Sequence, residues 1–345
     1  MCSSLLPVCV AASVMAATTV GCAPPQTKQP GAGRDDEEVP VEADTGPCPA
    51  AGPGLTLEET GPVIAGDQGD GVVVLMGGGA EVDRGSARFI DGARGGDVLV
   101  LRASGSTSSY TSYFADDLSA LVTVPPRSVG TIRIDDPAAG ADDAVLCRLR
   151  RADAVWLAGG DQSDYLVQWP TALHDGLRDA VARGAAIGGT SAGAMSWSSQ
   201  VFDAIGGSVS SEEALQSPLA SVVSVSTSPF AAVADSLVDT HFQARDREGR
   251  LLAFLARAAS GTVGIGIDEG TTLVVDGHDA AVLADDGGAV WMYQVGGVTL
   301  DANGPLSIDA VARLPLADGA RASWPVPFVD AEGLSVVDGV IVSKP

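Results

Sequence analysis

From residue 71 onward, short unbroken apolar runs alternate with longer stretches in which apolar positions recur at helical spacing. The runs are Val72-Val73-Val74-Leu75-Met76, Asp97 to Arg102, Ser128 to Ile134, Ala154 to Ala158 and Ala185 to Ile187. Strands without a polar face are buried on both sides, as in a parallel sheet covered by helices. Ser86 to Arg94, Tyr110 to Leu121, Ala139 to Arg150 and Asp164 to Arg183 read as the crossover helices. The pattern therefore predicts an α/β fold with a doubly wound, mostly parallel sheet. Ligands on such sheets bind beyond the carboxyl ends of the strands. Gly77-Gly78-Gly79, Ala103-Ser104-Gly105, Gly159-Gly160-Asp161 and Ser191 should emerge into that one crevice.

After Gly261 the periodicity shifts to strands: Val263 to Ile267, Thr272 to Val275, Ala281 to Leu283 and Val290 to Val295. Asp276-Gly277 and Asp286-Gly287 between them are expected as hairpin turns. Residues 301–345 hold further short runs and prolines and are expected as a β-rich extension packed on a main domain of residues 67–300. Residues 22–66 are rich in Pro, Gly, Ala and acid, including Asp35-Asp36-Glu37-Glu38, and read as a flexible tether.

Residues 1–21 lack Lys and Arg and carry an apolar stretch from Leu5 to Val20, the pattern of an export signal. Thr19-Val20-Gly21-Cys22 is similar to a bacterial lipobox, so Cys22 is expected to be lipidated. The protein would then be exported and held at a membrane through that lipid alone. With Cys2 and Cys9 removed and Cys22 acylated, Cys48 and Cys147 remain, too few for a disulfide scaffold. Pairing them would require the tether to dock on the domain.

Composition mainly excludes. Forty-four Asp and Glu against 20 Lys and Arg leave a formal charge of -24, a field that repels phosphate backbones, so nucleic acid is not an expected partner. No cysteine or histidine cluster has metal-ligand spacing, so no metal site is expected. Gly77-Gly78-Gly79 is followed by Ala80-Glu81-Val82 and lacks the third glycine of a dinucleotide fingerprint, which leaves no cofactor site.

The chemistry concentrates at Gly188-Gly189-Thr190-Ser191-Ala192-Gly193-Ala194, a G-x-S-x-G segment directly after an apolar strand. It reads as a nucleophile elbow, with Gly189 and Gly193 leaving room for a strained Ser191. A serine needs a base, usually a histidine held by a carboxylate. His174 falls in a helix-like segment and reads as an exposed surface residue; His278 falls in the turn Asp276-Gly277-His278-Asp279. His241 follows Leu237-Val238-Asp239-Thr240 at a strand end and is the expected base. Arg245, Arg247 and Arg250 follow it, and guanidinium forks match carboxylates. Gly264-Ile265-Gly266-Ile267 ends in Asp268-Glu269, of which one acid can face in and the other out.

Four blocks in this order, Gly159-Gly160-Asp161-Gln162, Gly189 to Ala194, Asp239-Thr240-His241-Phe242 with the three arginines, and Gly264 to Glu269, resemble peptidase family S51, the cyanophycinases and aspartyl dipeptidases. The resemblance implies a flavodoxin-like, class I glutamine amidotransferase-like fold over roughly residues 71 to 300. It also implies Ser191 as nucleophile, His241 as general base and Glu269 as the acid orienting it. The backbone N–H groups of Ala192 and of Gly160 or Asp161 would form the oxyanion hole. Gln162, Arg245, Arg247 and Arg250 would line the substrate pocket, with no cofactor, a peptide or cyanophycin-like polymer as substrate, and a homodimeric assembly. Glutamate at the third position favours a cyanophycinase releasing β-Asp-Arg. Thr240 departs from the glutamine that precedes the histidine in cyanophycinases. An α-aspartyl dipeptidase and a catalytically silent binding lipoprotein of the same fold are the rival readings.

Overall fold

A computed structural model describes residues 46–64 and 68–344. The first half of the chain runs β1 (Leu55–Glu59), β2 (Val73–Met76), α1 (Asp83–Gly92), β3 (Asp97–Arg102), α2 (Thr107–Ser112), β4 (Ser128–Ile134), α3 (Asp143–Arg151), β5 (Ala154–Leu157), α4 (Thr171–Ala182), β6 (Ala186–Thr190) and α5 (Ala192–Ser196). Then come β7 (Gln200–Phe202), α6 (Ser211–Gln216), β8 (Val225–Thr227), β9 (Ser236–Thr240), α7 (Glu248–Arg257) and β10 (Val263–Ile267). The last part is β-rich: β11 (Thr271–Asp276), β12 (Asp279–Ala284), β13 (Ala289–Thr299), β14 (Ser307–Ala317), β15 (Arg321–Ser323), β16 (Glu332–Val337) and β17 (Val340–Ser343).

The parallel strands β4, β3, β5, β6 and β2, in that order, form the centre of a nine-stranded sheet. Alternate residues of each strand enter two different cores. Val74, Val98, Val100 and Trp156 pack with Phe89, Ile90 and Phe114 from α1 and the segment after α2. Leu75, Leu99, Leu101 and Val155 pack with Val145, Leu149, Leu173 and Leu177 from α3 and α4. Helices on both faces account for the absence of polar alternation in these strands. The fold is the doubly wound α/β arrangement that the pattern predicts.

Several expectations change. Antiparallel strands extend the sheet on both sides, with β1 beside β4 and β11, β12 and β15 beyond β2. Asp276-Gly277 closes the β11–β12 hairpin, but Asp286-Gly287 closes none, because β13 leaves for a second, six-stranded sheet of order β17-β16-β14-β13-β10-β9. The buried Asp268 carboxylate explains the departure: it accepts the Ala289 N–H and the Trp291 indole N–H, both at 3.0 Å, and so fastens the start of β13 beside the end of β10. Residues 301–345 contribute strands to both sheets. The β13–β14 hairpin spans the expected boundary, and β15 joins the first sheet. The helix expected over Asp164 to Arg183 breaks before Pro170, which cannot donate an N–H to the preceding turn.

The stretch expected as a tether is docked from residue 46 to 64. Leu55 and Leu57 pack against the core, and the backbone of β1 pairs with β4 in register from Leu55↔Ile134 to Glu59↔Gly130. Cys48 and Cys147 form a disulfide, 99 residues apart in sequence, which ties this segment to α3. Two inward leucines, a ladder and a covalent staple hold the segment despite its low apolar content. Residues 22–45 of the tether, the leader and Cys22 lie outside the described residues. Among those described, no helix is long and apolar enough to cross a membrane.

Candidate active site

Ser191 follows β6 with φ 52° and ψ −122°, a strained conformation for a residue with a side chain. The strain persists because its surroundings leave no alternative. A Cβ on Gly193 would stand 2.0 Å from the Leu157 carbonyl oxygen, and one on Gly189 would stand 2.8 Å from the Gly193 carbonyl carbon. Strand, turn and helix are thus pressed together to a distance that only glycines permit. Ser191 N–H donates to the Met76 carbonyl at 3.0 Å, which fixes the turn to the end of β2.

His241 directly follows β9 and also has positive φ, 50°. Its Nε2 lies 2.7 Å from Ser191 Oγ, and its Nδ1 lies 2.5 Å from Glu269 Oε1. β9 and β10 are parallel neighbours, with Thr240 opposite Ile267, so the residues just beyond their ends fall side by side. Asp268 turns inward to the backbone of Gln243 and Ala289, and Glu269 is the acid that reaches the imidazole. The structure brings together the three residues expected as a triad. Burial pushes the His241 imidazolium below its ordinary pKa, against the upward pull of Glu269 and with the repulsion of Arg245 and Arg247. The ring is consequently neutral near pH 7 and able to accept a proton.

The end of β2 joins all three members. Gly77 accepts the His241 N–H at 2.8 Å, and Gly78 accepts the Gly270 N–H at 3.0 Å, one residue after Glu269. A Cβ on Gly78, which has φ +87°, would lie 2.4 Å from His241 Cε1; one on Gly79 would lie 3.1 Å from Glu269 Cβ. The triple glycine, dismissed as a cofactor loop, is the bed on which the histidine and glutamate rest. Its position at a strand end beside the elbow is the signal that could have assigned it this part.

Beside the triad lies a cavity of about 190 Å³ whose walls include Gly160, Asp161, Gln162, Arg245, Arg247 and Arg250. Gln162 is nearly buried and donates to the Phe202 carbonyl at 3.2 Å. The three arginines have unequal parts. Arg250 donates from Nε and Nη2 to Asp239 at 2.7 and 2.6 Å and is 2% exposed, so its charge is committed within the protein. Arg247 also reaches Asp239, at 3.3 Å, and the Thr240 carbonyl, at 2.8 Å; burial lowers its pKa to about 10. Arg245 is exposed and, among the described residues, has no carboxylate partner, which leaves it the arginine open to a ligand. Asp239, fully buried, is a structural residue that no local sequence pattern marks.

Gly159 backs onto Ser191, since a Cβ there would meet Ser191 Cβ at 3.5 Å. This places the strand-end loop carrying Gly160 and Asp161 next to Ser191. Ala192 opens α5, where an N–H has no carbonyl one turn earlier to bond. His174 is not a surface residue: it is buried, bonds the Tyr165 carbonyl through Nε2 at 2.7 Å and packs against Phe230. It fills the joint where the expected long helix breaks. His278 stays in the β11–β12 turn. Among the described residues, no group of three or more His, Cys, Asp or Glu side chains is placed to hold a metal ion.

The sequence profile of Peptidase family S51 matches residues 103–283, more than half the chain. Cyanophycinases of Synechococcus elongatus and Thermosynechococcus vestitus are each 30% identical over 205 residues, covering 56% of this chain and 59% of theirs. The match thus spans about three fifths of the length of those relatives. A crystal structure of a peptidase from an acI-B1 Actinobacterium superposes with a TM-score of 0.50 at 16% identity, covering 74% of this chain and 99% of that one, a likeness of fold.

Proposed function

Because the chain belongs to peptidase family S51, we propose that it is a serine-type exopeptidase or isopeptidase that hydrolyses aspartyl-linked, cyanophycin-like substrates and releases β-Asp-Arg. The observation that carries this reading is the continuous relay from Ser191 through His241 to Glu269, at 2.7 and 2.5 Å. Ser191 Oγ attacks the carbonyl carbon while His241 Nε2 takes its proton. The N–H groups of Ala192 and of Gly160 or Asp161 receive the developing oxyanion. The protonated imidazole, stabilised by Glu269, returns the proton to the leaving amine, and water repeats the sequence on the acyl-enzyme. Arg245 and Gln162 hold the substrate's carboxylate and amide groups. The 30% identity to cyanophycinases supports the substrate class.

The Cys48–Cys147 disulfide supports a place outside the cytoplasm, since such bonds persist in oxidising compartments. The deciding experiment gives insoluble cyanophycin to the purified protein and to its Ser191→Ala variant. Release of β-Asp-Arg by the wild type, with a loss on the order of 10⁴ or more in the variant, is the expected result. Failure to release it while a fluorophosphonate still labels Ser191 would reassign the substrate, and absence of labelling would favour a binding protein.

A further inference from the structure

The positive φ of His241 is costly for a residue with a side chain, and such a turn persists only where its surroundings over-determine it. Three successive N–H groups do so. That of His241 donates to the Gly77 carbonyl at 2.8 Å, that of Phe242 to the Ile267 carbonyl at 3.2 Å, and that of Gln243 to Asp268 Oδ1 at 3.0 Å. The Phe242 bond carries the pairing of β9 with β10 past its last pair, Thr240↔Ile267. One residue further on, the Asp268 carboxylate takes the place of a backbone carbonyl as the acceptor. A carboxylate makes the stronger, charge-assisted bond.

The same residue fixes the other end of the relay. The Glu269 side chain is 41% exposed, and among the described residues its carboxylate bonds His241 alone, so its reach is set by the backbone it leaves. Asp268 anchors that backbone. Its N–H donates to the Ala289 carbonyl at 3.1 Å, and a Cβ on Gly77 would stand 1.9 Å from its carbonyl oxygen. Its Oδ2 accepts the Ala289 N–H and the Trp291 indole N–H. One buried carboxylate thus grips the turn of His241 with one oxygen and the start of β13 with the other, while its own peptide leads into Glu269.

We propose that Asp268 is a positioning residue that sets the approach of His241 Nδ1 to Glu269 Oε1. The proposal rests on the Ser191–His241–Glu269 reading above and deepens it. The two adjacent acids divide the work: Glu269 touches the imidazole, and Asp268 holds both partners of that contact in place. Asp268→Asn tests this because an amide keeps one acceptor and turns the other into a donor. Its oxygen is best satisfied facing the two donors of β13, which sets its NH₂ against the Gln243 N–H and breaks the tie to the His241 turn.

The readout is the NMR titration of the His241 Cε1 proton, one of three histidine signals in the chain. Burial lowers the His241 pKa, Glu269 raises it, and Arg245 and Arg247 oppose Glu269. Asp268→Asn should therefore lower the midpoint, by less than Glu269→Gln does, and should lower it no further when Glu269→Gln is already present, because residues of one network are not additive. Loss of a negative charge acting at a distance would instead lower the midpoint equally in both backgrounds. Gln243→Pro, at an exposed position, deletes the donor and leaves Asp268 in place. It should give a similar fall, and it decides the matter should Asp268→Asn fail to fold. Trp291→Phe removes a bond on the β13 side only and should leave the midpoint where it was. Fluorophosphonate labelling of Ser191 should slow roughly 10²-fold in Asp268→Asn, the cost of a base misplaced by about 1 Å. A midpoint that moves in neither Asp268→Asn nor Gln243→Pro, or that falls equally with and without Glu269, would overturn the positioning role. A fall that depends on Glu269, in a protein that hydrolyses no peptide, would keep that role and overturn the hydrolase reading.

Discussion

Ser191 stands at the end of a strand flanked by parallel neighbours, β2 and β5, whereas His241 and Glu269 follow a parallel pair set into an otherwise antiparallel sheet. Ser191 owes its conformation to close neighbours: two glycines that let the elbow press against Leu157, and a bond to Met76. His241 owes its conformation to distant ones. It hangs from Gly77, rests on Gly78, and emerges from a strand whose end is held by the buried cluster of Asp239 with Arg247 and Arg250. The seam between the two sheets runs through the triad, and the end of β2 bridges it. The candidate site is thus assembled from one locally determined half and one half determined by long-range contacts.

The largest expected effect on this contrast comes from Asp239→Asn. It leaves two buried guanidinium groups without their anion, and losing one partner of a buried ion pair costs about 3–5 kcal/mol. Urea denaturation should show that loss, and a change under about 1 kcal/mol would mean that the cluster does not support the relay half. Gly78→Ala acts on the bridge itself. The added methyl group would displace the His241 ring, and a misplacement near 1 Å lowers kcat/KM by roughly 10²-fold. A thermal melt close to that of the wild type would locate the damage in the relay, while unchanged turnover would remove Gly78 from it.

The smallest effect is in the pH profile. His241 works as a base only when neutral, and its pKa in the folded protein is depressed by burial. Activity should therefore persist above that pKa and fall as pH drops through it, with the acid limb of kcat/KM centred below about 6.5, the ordinary histidine value. Glu269→Gln removes the partner that raises the pKa and should move the limb lower still. A limb at or above 6.5 in the wild type would contradict the dominance of burial.

These contrasts separate what the chain reveals in linear order from what it does not. The parallel core was readable because strands buried on both faces carry no polar alternation, and Asp97–Arg102 and Ser128–Ile134 are strands over the predicted residues. The elbow was readable because its requirements lie within six consecutive residues. His241 and Glu269 were reached by elimination among three histidines and by resemblance, since no local pattern announces a base.

The tertiary structure alone decided the rest. It docked residues 46–64 through partners about 70 to 100 residues away, fastened the start of β13 in a second sheet beside one buried aspartate, and committed the Arg250 guanidinium to Asp239. It also gave Gly77-Gly78-Gly79 a histidine and a glutamate to support. The physical reason is common to all four. Periodicity and turn chemistry report a residue's own backbone and the side of its element that is buried. Which charge, carbonyl or strand meets it there depends on residues that folding brings near, and those carry no fixed spacing along the chain.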